Sequence, residues 1–396
     1  MVWFSMNFRL YLLAVGMFAL GTDSFVIAGI LPQVGNSFSV SPSVAGQMVT
    51  VYALAYAIFA PVIAAAAASW PRKQLLLLGM TIFVAANILT IYSPNFQIVL
   101  LGRAIAGLGA AMFSPTATST GALLVPPEQR GRALATVVAG LSIATAFGSP
   151  LGTALGGLGD WRITIWFVVA IGMMAGIGIA ALFKATPIAP AISLRQRLAP
   201  LGDGRIALTL LTSVFAYTGL YIVYTYIALA LHHATSGSST LLASLLLIWG
   251  IGAVVGNLGA GFLVDRFGGR PIISATLAIA AIDYLLIPFS SATYFTAAIV
   301  TFIWGVSGWG LVVGQQHRLI SIMPTSAPLL LGLSTASIYL GSSASGLIGG
   351  AVISSLGTNA LGFVGAFLIA IGLVLAELAH RRIHFHSRTA AVQAGQ

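Results

Sequence analysis

The sequence predicts an all-α polytopic membrane protein of twelve transmembrane helices in two pseudo-symmetric six-helix halves, and three observations carry that prediction. First, of 396 residues 58% are apolar and only 6% are charged, whereas a soluble domain carries about 25% charged residues. The mean hydropathy is +1.01. Second, the charge-free runs are long: between Arg9 and Arg72 only Asp23 is charged, and Lys73–Arg103, Arg205–Asp265 and Arg318–Glu377 enclose no charge at all. A helical span needs about 20 apolar residues, so each of the longer runs holds two. Third, a shift of half the chain superposes Arg72 on Arg270, Pro126 on Pro324, and Gly148 and Gly152 on Gly346 and Gly350. Landmarks of one kind recurring at one topological position mark a duplicated architecture.

Taken in order, the apolar runs break at Pro, Gly and charge clusters into spans at approximately 9–31, 43–68, 74–93, 97–123, 132–157, 163–183, 206–231, 240–264, 272–289, 294–320, 329–355 and 360–380. The stretch from Leu10 to Leu31 is too long for a secretory signal and is read as the first span. Spans 2 and 3 are separated by Arg72 and Lys73, spans 4 and 5 by Pro126, Arg130 and Arg132, spans 5 and 6 by Arg162. The segment 184–204, with Pro187, Pro190, Pro200, Arg195 and Arg197, is read as a solvated tether between an N-terminal half, 1–183, and a C-terminal half, 205–380. Arg266 and Arg270 separate spans 8 and 9, and Arg318 with Pro324 separates spans 10 and 11. The polar tail, 381–396, is expected to be disordered from His384 onward.

With an even number of spans both termini share one side. Arg9, Arg72, Lys73, Arg130, Arg132, Lys184, Arg195, Arg197, Arg205, Arg266, Arg270, Arg318, Arg381, Arg382 and Arg388 fall on that side, and only Arg162 lies in a loop of the other. Basic loops stay cytoplasmic, which puts both termini in the cytoplasm of a bacterial inner-membrane protein. The net charge of +10 is therefore a topology signal, and nucleic acid is not an expected partner. The chain has no cysteine and neither a phosphate-cradling loop nor a zinc-binding helix motif, so ATP-driven pumping, a cofactor and a metal site are not expected. The expected partners are a small-molecule substrate, protons and the lipid bilayer, with the chain acting as a monomer. Gly- and Ala-rich stretches such as Gly102–Ala111 and Gly148–Gly157 suit closely packed, slidable helices.

Charges at membrane depth cost about 2.5–3.5 kcal/mol each and need a reason. Asp23 in span 1 and Arg103 in span 4 lie at one level. An acid able to take a proton beside a permanent cation is a proton-coupling switch, and a static pair joining the two spans is the plainer alternative. Asp283, mid-span in span 9, is a candidate second proton site with no evident partner. Glu377 is expected to pair along its own helix with His380 or Arg381, and Arg318 to snorkel to the interface. Tyr52, Tyr56, Phe113, Tyr217, Tyr221, Tyr224, Trp249, Trp304 and Tyr339, with Asn257, are candidate substrate-binding residues. Tyr217, Tyr221 and Tyr224 recur at one helix face. A cavity of that kind takes amphipathic or aromatic solutes, held by shape and a few hydrogen bonds.

Several motifs resemble the major facilitator superfamily, in particular its twelve-span drug/proton antiporters and arabinose-efflux-permease-like exporters. Gly261-Phe-Leu-Val-Asp265-Arg266-Phe-Gly268-Gly269-Arg270 resembles the superfamily's cytoplasmic loop motif, whose aspartate meets a neighbouring helix N-terminus and latches one conformation. The first-half copy has Ala67 in place of that aspartate. Arg103-Ala-Ile-Ala-Gly107-Leu-Gly109 is similar to the span-4 motif whose arginine is associated with proton coupling, and Gly21-Thr-Asp23-Ser-Phe25 to an exporter signature in span 1. Gly148-Ser-Pro150-Leu-Gly152 with Asp160-Trp161-Arg162 resembles the antiporter glycine-proline motif, implying a bent helix whose glycines approach the opposite half. The resemblance implies a proton-coupled exporter of drugs or other small amphipathic molecules working by alternating access, driven by the proton gradient. Sugar or metabolite efflux and proton-linked uptake are the nearest alternatives, and a membrane-embedded enzyme or sensor is a remote one.

Overall fold

In the computed structural model, which describes residues 8–183 and 193–394 and the side chains of these up to Phe385, twelve apolar helices are long enough to cross a membrane. They are α1 (Phe8–Ser37), α2 (Pro42–Ala66), α3 (Arg72–Ile91), α4 (Phe96–Leu123), α5 (Pro127–Gly156), α6 (Arg162–Leu182), α7 (Gly204–Thr225), α8 (Ser239–Phe267), α9 (Gly269–Ser290), α10 (Tyr294–Ile322), α11 (Pro324–Leu356) and α12 (Ala360–Phe385). Polar residues cap several at one turn: the side chains of Asn95, Ser238 and Thr293 accept from the backbone N–H three residues on, at 3.0, 3.3 and 3.3 Å.

Three boundaries differ from expectation. α1 continues through Pro32 to Ser37. The chain beyond α7 turns at Tyr226 into two one-turn helices, Ile227–Ala230 and His232–Thr235, so the seventh span is shorter than its apolar run. The tail is helical rather than disordered as far as Ala394, continuing α12 through a stretch with no Gly or Pro before Gly395. Of the tether, Lys184, Pro187 and Pro190 lie outside the described residues. Its later part forms a short helix, Leu194–Leu198, opened by a capping box of Ser193 and Gln196.

Helix packing repeats between the halves. α1 packs on α5 and α6, α4 on α2 and α3, and α3 on α6. In the same relation α7 packs on α11 and α12, α10 on α8 and α9, and α9 on α12. The halves meet along two seams, α2 against α11 and α5 against α8. These seams are small-residue contacts near the end of the bundle opposite the termini. A Cβ on Gly157 would meet Ser239 at 2.6 Å, and one on Gly350 would meet Ser43 at 2.7 Å. Deeper in, Gly250 lies against Ala146 and Gly346 against Thr50. Glycine is required at these positions because the two backbones approach closely.

Toward the termini the same helix faces look onto empty space. Gly261 is eleven residues beyond Gly250 on α8, and Gly332 is two heptads before Gly346 on α11. A Cβ added to either would have no atom within 4 Å, and Gly131 at the start of α5 is equally open. The bundle is therefore closed at the end opposite the termini and splayed at the end that carries them.

Candidate functional site

Asp23 and Arg103 meet in the middle of the N-terminal half. Arg103 Nη1 donates to both carboxylate oxygens, at 2.7 and 2.8 Å, and the side chains are 0% and 1% exposed. The guanidinium also lies over the Tyr52 ring, 4.5 Å from its centre, a favourable cation–π contact. Ser24 Oγ donates to the Tyr52 hydroxyl at 3.1 Å. The Asn87 side chain faces the same carboxylate while its amide donates to Phe83 O at 3.1 Å. Two charges are tolerated at this depth because each neutralises the other. Protonating Asp23 would leave Arg103, a permanent cation, without its buried counter-charge.

Asp23 and Phe25 are two residues apart, about 200° around α1. The acid therefore turns into its own half while Phe25 turns to the other. Its ring centre lies 5.7 Å from Tyr224, 5.8 Å from Trp249, 6.4 Å from Tyr221 and 6.5 Å from Trp309. Trp304 extends this cluster behind Tyr224 and Trp249, at 5.9 and 5.8 Å. Tyr224 holds the halves together: its hydroxyl donates to Phe25 O at 3.1 Å and shares a hydrogen bond with Ser149 Oγ at 3.2 Å. Trp249 Nε1 is buried with no hydrogen-bond partner among the described residues.

A second aromatic group joins this cluster to the ion pair. Tyr56 and Tyr339 stack across the α2–α11 seam, ring centres 3.8 Å apart and planes 20° apart. Tyr339 is within electrostatic reach of both Tyr52 and Tyr221. A continuous belt thus runs from Arg103 through Tyr52 and Tyr339 to Tyr221 and Phe25. Of its rings Phe25, Tyr221, Trp309 and Tyr339 are only half-buried.

This bundle is found in known proteins. The chain matches the sequence profile of the Major Facilitator Superfamily over residues 13–327. The chain belongs to that superfamily. It is a multi-pass membrane transporter rather than an enzyme. The inner membrane transport protein YdhP of Escherichia coli K12 is 28% identical over 380 residues, covering 95% of this chain and 97% of that protein. A chloramphenicol resistance protein of Streptomyces lividans is 29% identical over 385 residues, covering 94% and 96%. Among solved structures, the nucleoside transporter NupG superposes with a TM-score of 0.75 at 13% identity, covering 95% of this chain and 99% of that one. A bacterial homologue of the human lysosomal transporter Spinster, in an inward-facing and unoccupied conformation, gives 0.74 at 18% identity, covering 94% and 96%.

Other residues of this transporter fall elsewhere than the sequence indicates. Phe113 is fully buried inside the N-terminal half, filling the space over Gly16 beside Met80, and does not face the other half. Tyr217 donates to Gly308 O at 3.0 Å and so braces α7 on α10. Asn257 lies two turns from Trp249 toward the termini, about 12 Å along α8, half-buried on the face that carries Gly250. It lines the opening and is remote from the aromatic cluster.

Gly148 and Gly152 do not approach the opposite half: they receive Thr22 and Val26 of α1. The face of α5 that meets α8 carries Ala146 and Gly157 instead. Pro150 follows a π-helical turn over Ala144–Gly148. Without an N–H it cannot bond to Ala146 O, and the helix widens there rather than simply bending.

In the loop motif, Gly268 adopts φ +80°, a conformation that favours glycine. Asp265 is exposed and, among the described residues, makes no ion pair. Arg270 pairs at 2.7 Å with Glu377, which points at α9 rather than along its own helix. Arg318 does not snorkel. It is buried and donates to Ala376 O at 3.1 Å, holding α10 to α12.

Sequence reasoning does not single out Phe25, Trp309, Ser149 or Asn87 as site residues. The helical phase of Phe25 relative to Asp23 is available in the sequence; the other three need the helix arrangement.

Proposed function

We propose that this transporter is a proton-coupled antiporter of the bacterial inner membrane, exporting small amphipathic molecules, drugs among them, by alternating access. The observation that carries the reading is the buried Asp23–Arg103 pair joined through Tyr52 and Tyr339 to a half-exposed aromatic belt. With the basic, termini-bearing end in the cytoplasm, the splayed conformation is the one that admits cargo from inside. Cargo binds among Phe25, Tyr221, Trp309 and Tyr339, with the buried Trp249 Nε1 available as a donor. A proton arriving from outside neutralises Asp23, frees Arg103 and repacks α1 against α4, and its release inside restores the pair. The gradient is the energy source, with no cofactor and one chain as the working unit. The relative named for chloramphenicol resistance supports the drug class.

The test is pH-gradient fluorescence in inside-out vesicles challenged with chloramphenicol and with cationic, neutral and anionic amphiphiles. Asp23→Asn alone strands the arginine, so the Asp23→Asn/Arg103→Gln double variant is the comparison. Compound-dependent collapse of the gradient in the wild type and none in the double variant is the expected result. Equal collapse in both would overturn proton coupling at this pair.

A further inference from the structure

Asp283 is a buried carboxyl group that the proposed cycle does not use. It is 3% exposed on α9, and its Oδ2 has no hydrogen-bond partner among the described residues. No ion pair in the described residues involves it. Among the described residues the elements around it bring no cation close: Arg270, on its own helix, is thirteen residues away, about 20 Å along the axis. Its own neighbour Tyr284 feels its charge, and Tyr221 of α7 in turn faces Tyr284. From α12, Gly362 and Gly365 pack on the Tyr284 backbone and ring, and the nearest charged residue of that helix, Glu377, is twelve residues past Gly365, about 18 Å along the axis. From α10 the nearby ring is Trp304, and that helix's basic pair, His317 and Arg318, sits at its far end. α8 carries no ionisable group before Asp265.

An ionised carboxylate with an orphan oxygen and no cation beside it is the costly form in such surroundings, and the neutral acid is the form they accept. We propose that Asp283 is a second proton-binding site, in the C-terminal half, occupied in the conformation shown. Its neighbour links it to the cargo site. Tyr284 donates its hydroxyl to Leu220 O of α7, and its ring meets Trp304 edge-on at 5.6 Å, which contacts Tyr224 and Trp249. Any repacking of α9 that wets or pairs Asp283 releases the proton and shifts this wall of the aromatic cluster. The link to cargo rests on the antiport reading; the protonation does not.

The experiment is infrared difference spectroscopy across neutral pH, on the full chain in lipid with isotope-labelled aspartate. In the Asp23→Asn/Arg103→Gln protein the remaining aspartates are Asp283, which is buried, and Asp160, Asp203 and Asp265, which are partly or fully exposed. A label-sensitive band of a protonated carboxyl in that protein, lost in a further Asp283→Asn change, is the expected result. Absence of the band overturns the proposal, and so does its persistence in Asp283→Asn. Because the band is read in the double variant, the test stands even where Asp283→Asn folds poorly. A band present in that protein while no compound collapses the gradient in the wild type would sink antiport and leave the proton site standing. In vesicles, Asp283→Asn should still transport but with one proton fewer in its pH dependence.

Discussion

Replacing Arg103 by Gln isolates the physics of the ion pair, because its two members respond differently to losing the other. In Arg103→Gln the fully buried Asp23 has two courses. It can stay charged and unpaired, which costs about 3–5 kcal/mol, or it can take a proton. From an ordinary carboxylate value of about 3.9, protonation costs about 1.36 kcal/mol per pH unit, hence about 4 kcal/mol at pH 7 and about 1.5 kcal/mol at pH 5. The folded variant then holds a proton that the unfolded chain lacks, so its stability rises as pH falls from 7 and levels off below about 4. Asp23→Asn has no such course, because the stranded guanidinium keeps its charge at any of these pH values. Unfolding in mixed micelles followed by tryptophan fluorescence should show both variants destabilised by similar amounts at pH 7. At pH 5 Arg103→Gln should recover about 2–3 kcal/mol while Asp23→Asn recovers nothing. An Arg103→Gln deficit equal at the two pH values would mean that Asp23 does not take up the proton, and the coupling argument would fail with it.

Two further outcomes probe the seams. Gly332→Leu points into empty space and should leave unfolding unchanged, while Gly250→Leu, whose Cβ would meet Thr145 O at 2.8 Å, should push the closed end apart. Because the chain has no cysteine, spin labels on introduced cysteine pairs can read both. Normal transport by Gly332→Leu would show that the splayed end never closes along this face. Tyr224→Phe removes bonds to Phe25 O and Ser149, about 0.5–1.5 kcal/mol each, and should shift the halves toward opening at the end opposite the termini. Labelling of a cysteine introduced at that end by a soluble thiol reagent should rise about tenfold, and no change would show that the tyrosine does not hold the halves together.

Much of the fold was legible because lipid is a simple solvent. A backbone polar group left unpaired in hydrocarbon costs several kcal/mol, so an apolar run of sufficient length becomes a helix whatever its neighbours. Long-range facts at single residues were less accessible. The level shared by Asp23 and Arg103 followed from counting residues, but Glu377 and Arg318 each found a partner on another helix that no local spacing rule proposes. The glycines of α5 show the same limit: Gly148 and Gly152 marked a close approach correctly, while the helix that fills them is α1 and not one from the other half.

By itself the sequence determined the number of spans, the duplication, the shared side of the termini and the presence of one acid and one base at a common depth. These depend on hydropathy, charge placement and a rise of 1.5 Å per residue, all of which are local. Only the tertiary structure decided that the pair closes on itself, that Phe25 and Trp309 join the aromatic wall while Phe113 leaves it, that Asp283 Oδ2 has no hydrogen-bond partner among the described residues, and that the halves are closed at one end and open at the other. Each depends on which helix faces which, and in a chain whose helices are apolar on nearly every side, no stripe of polarity announces that choice.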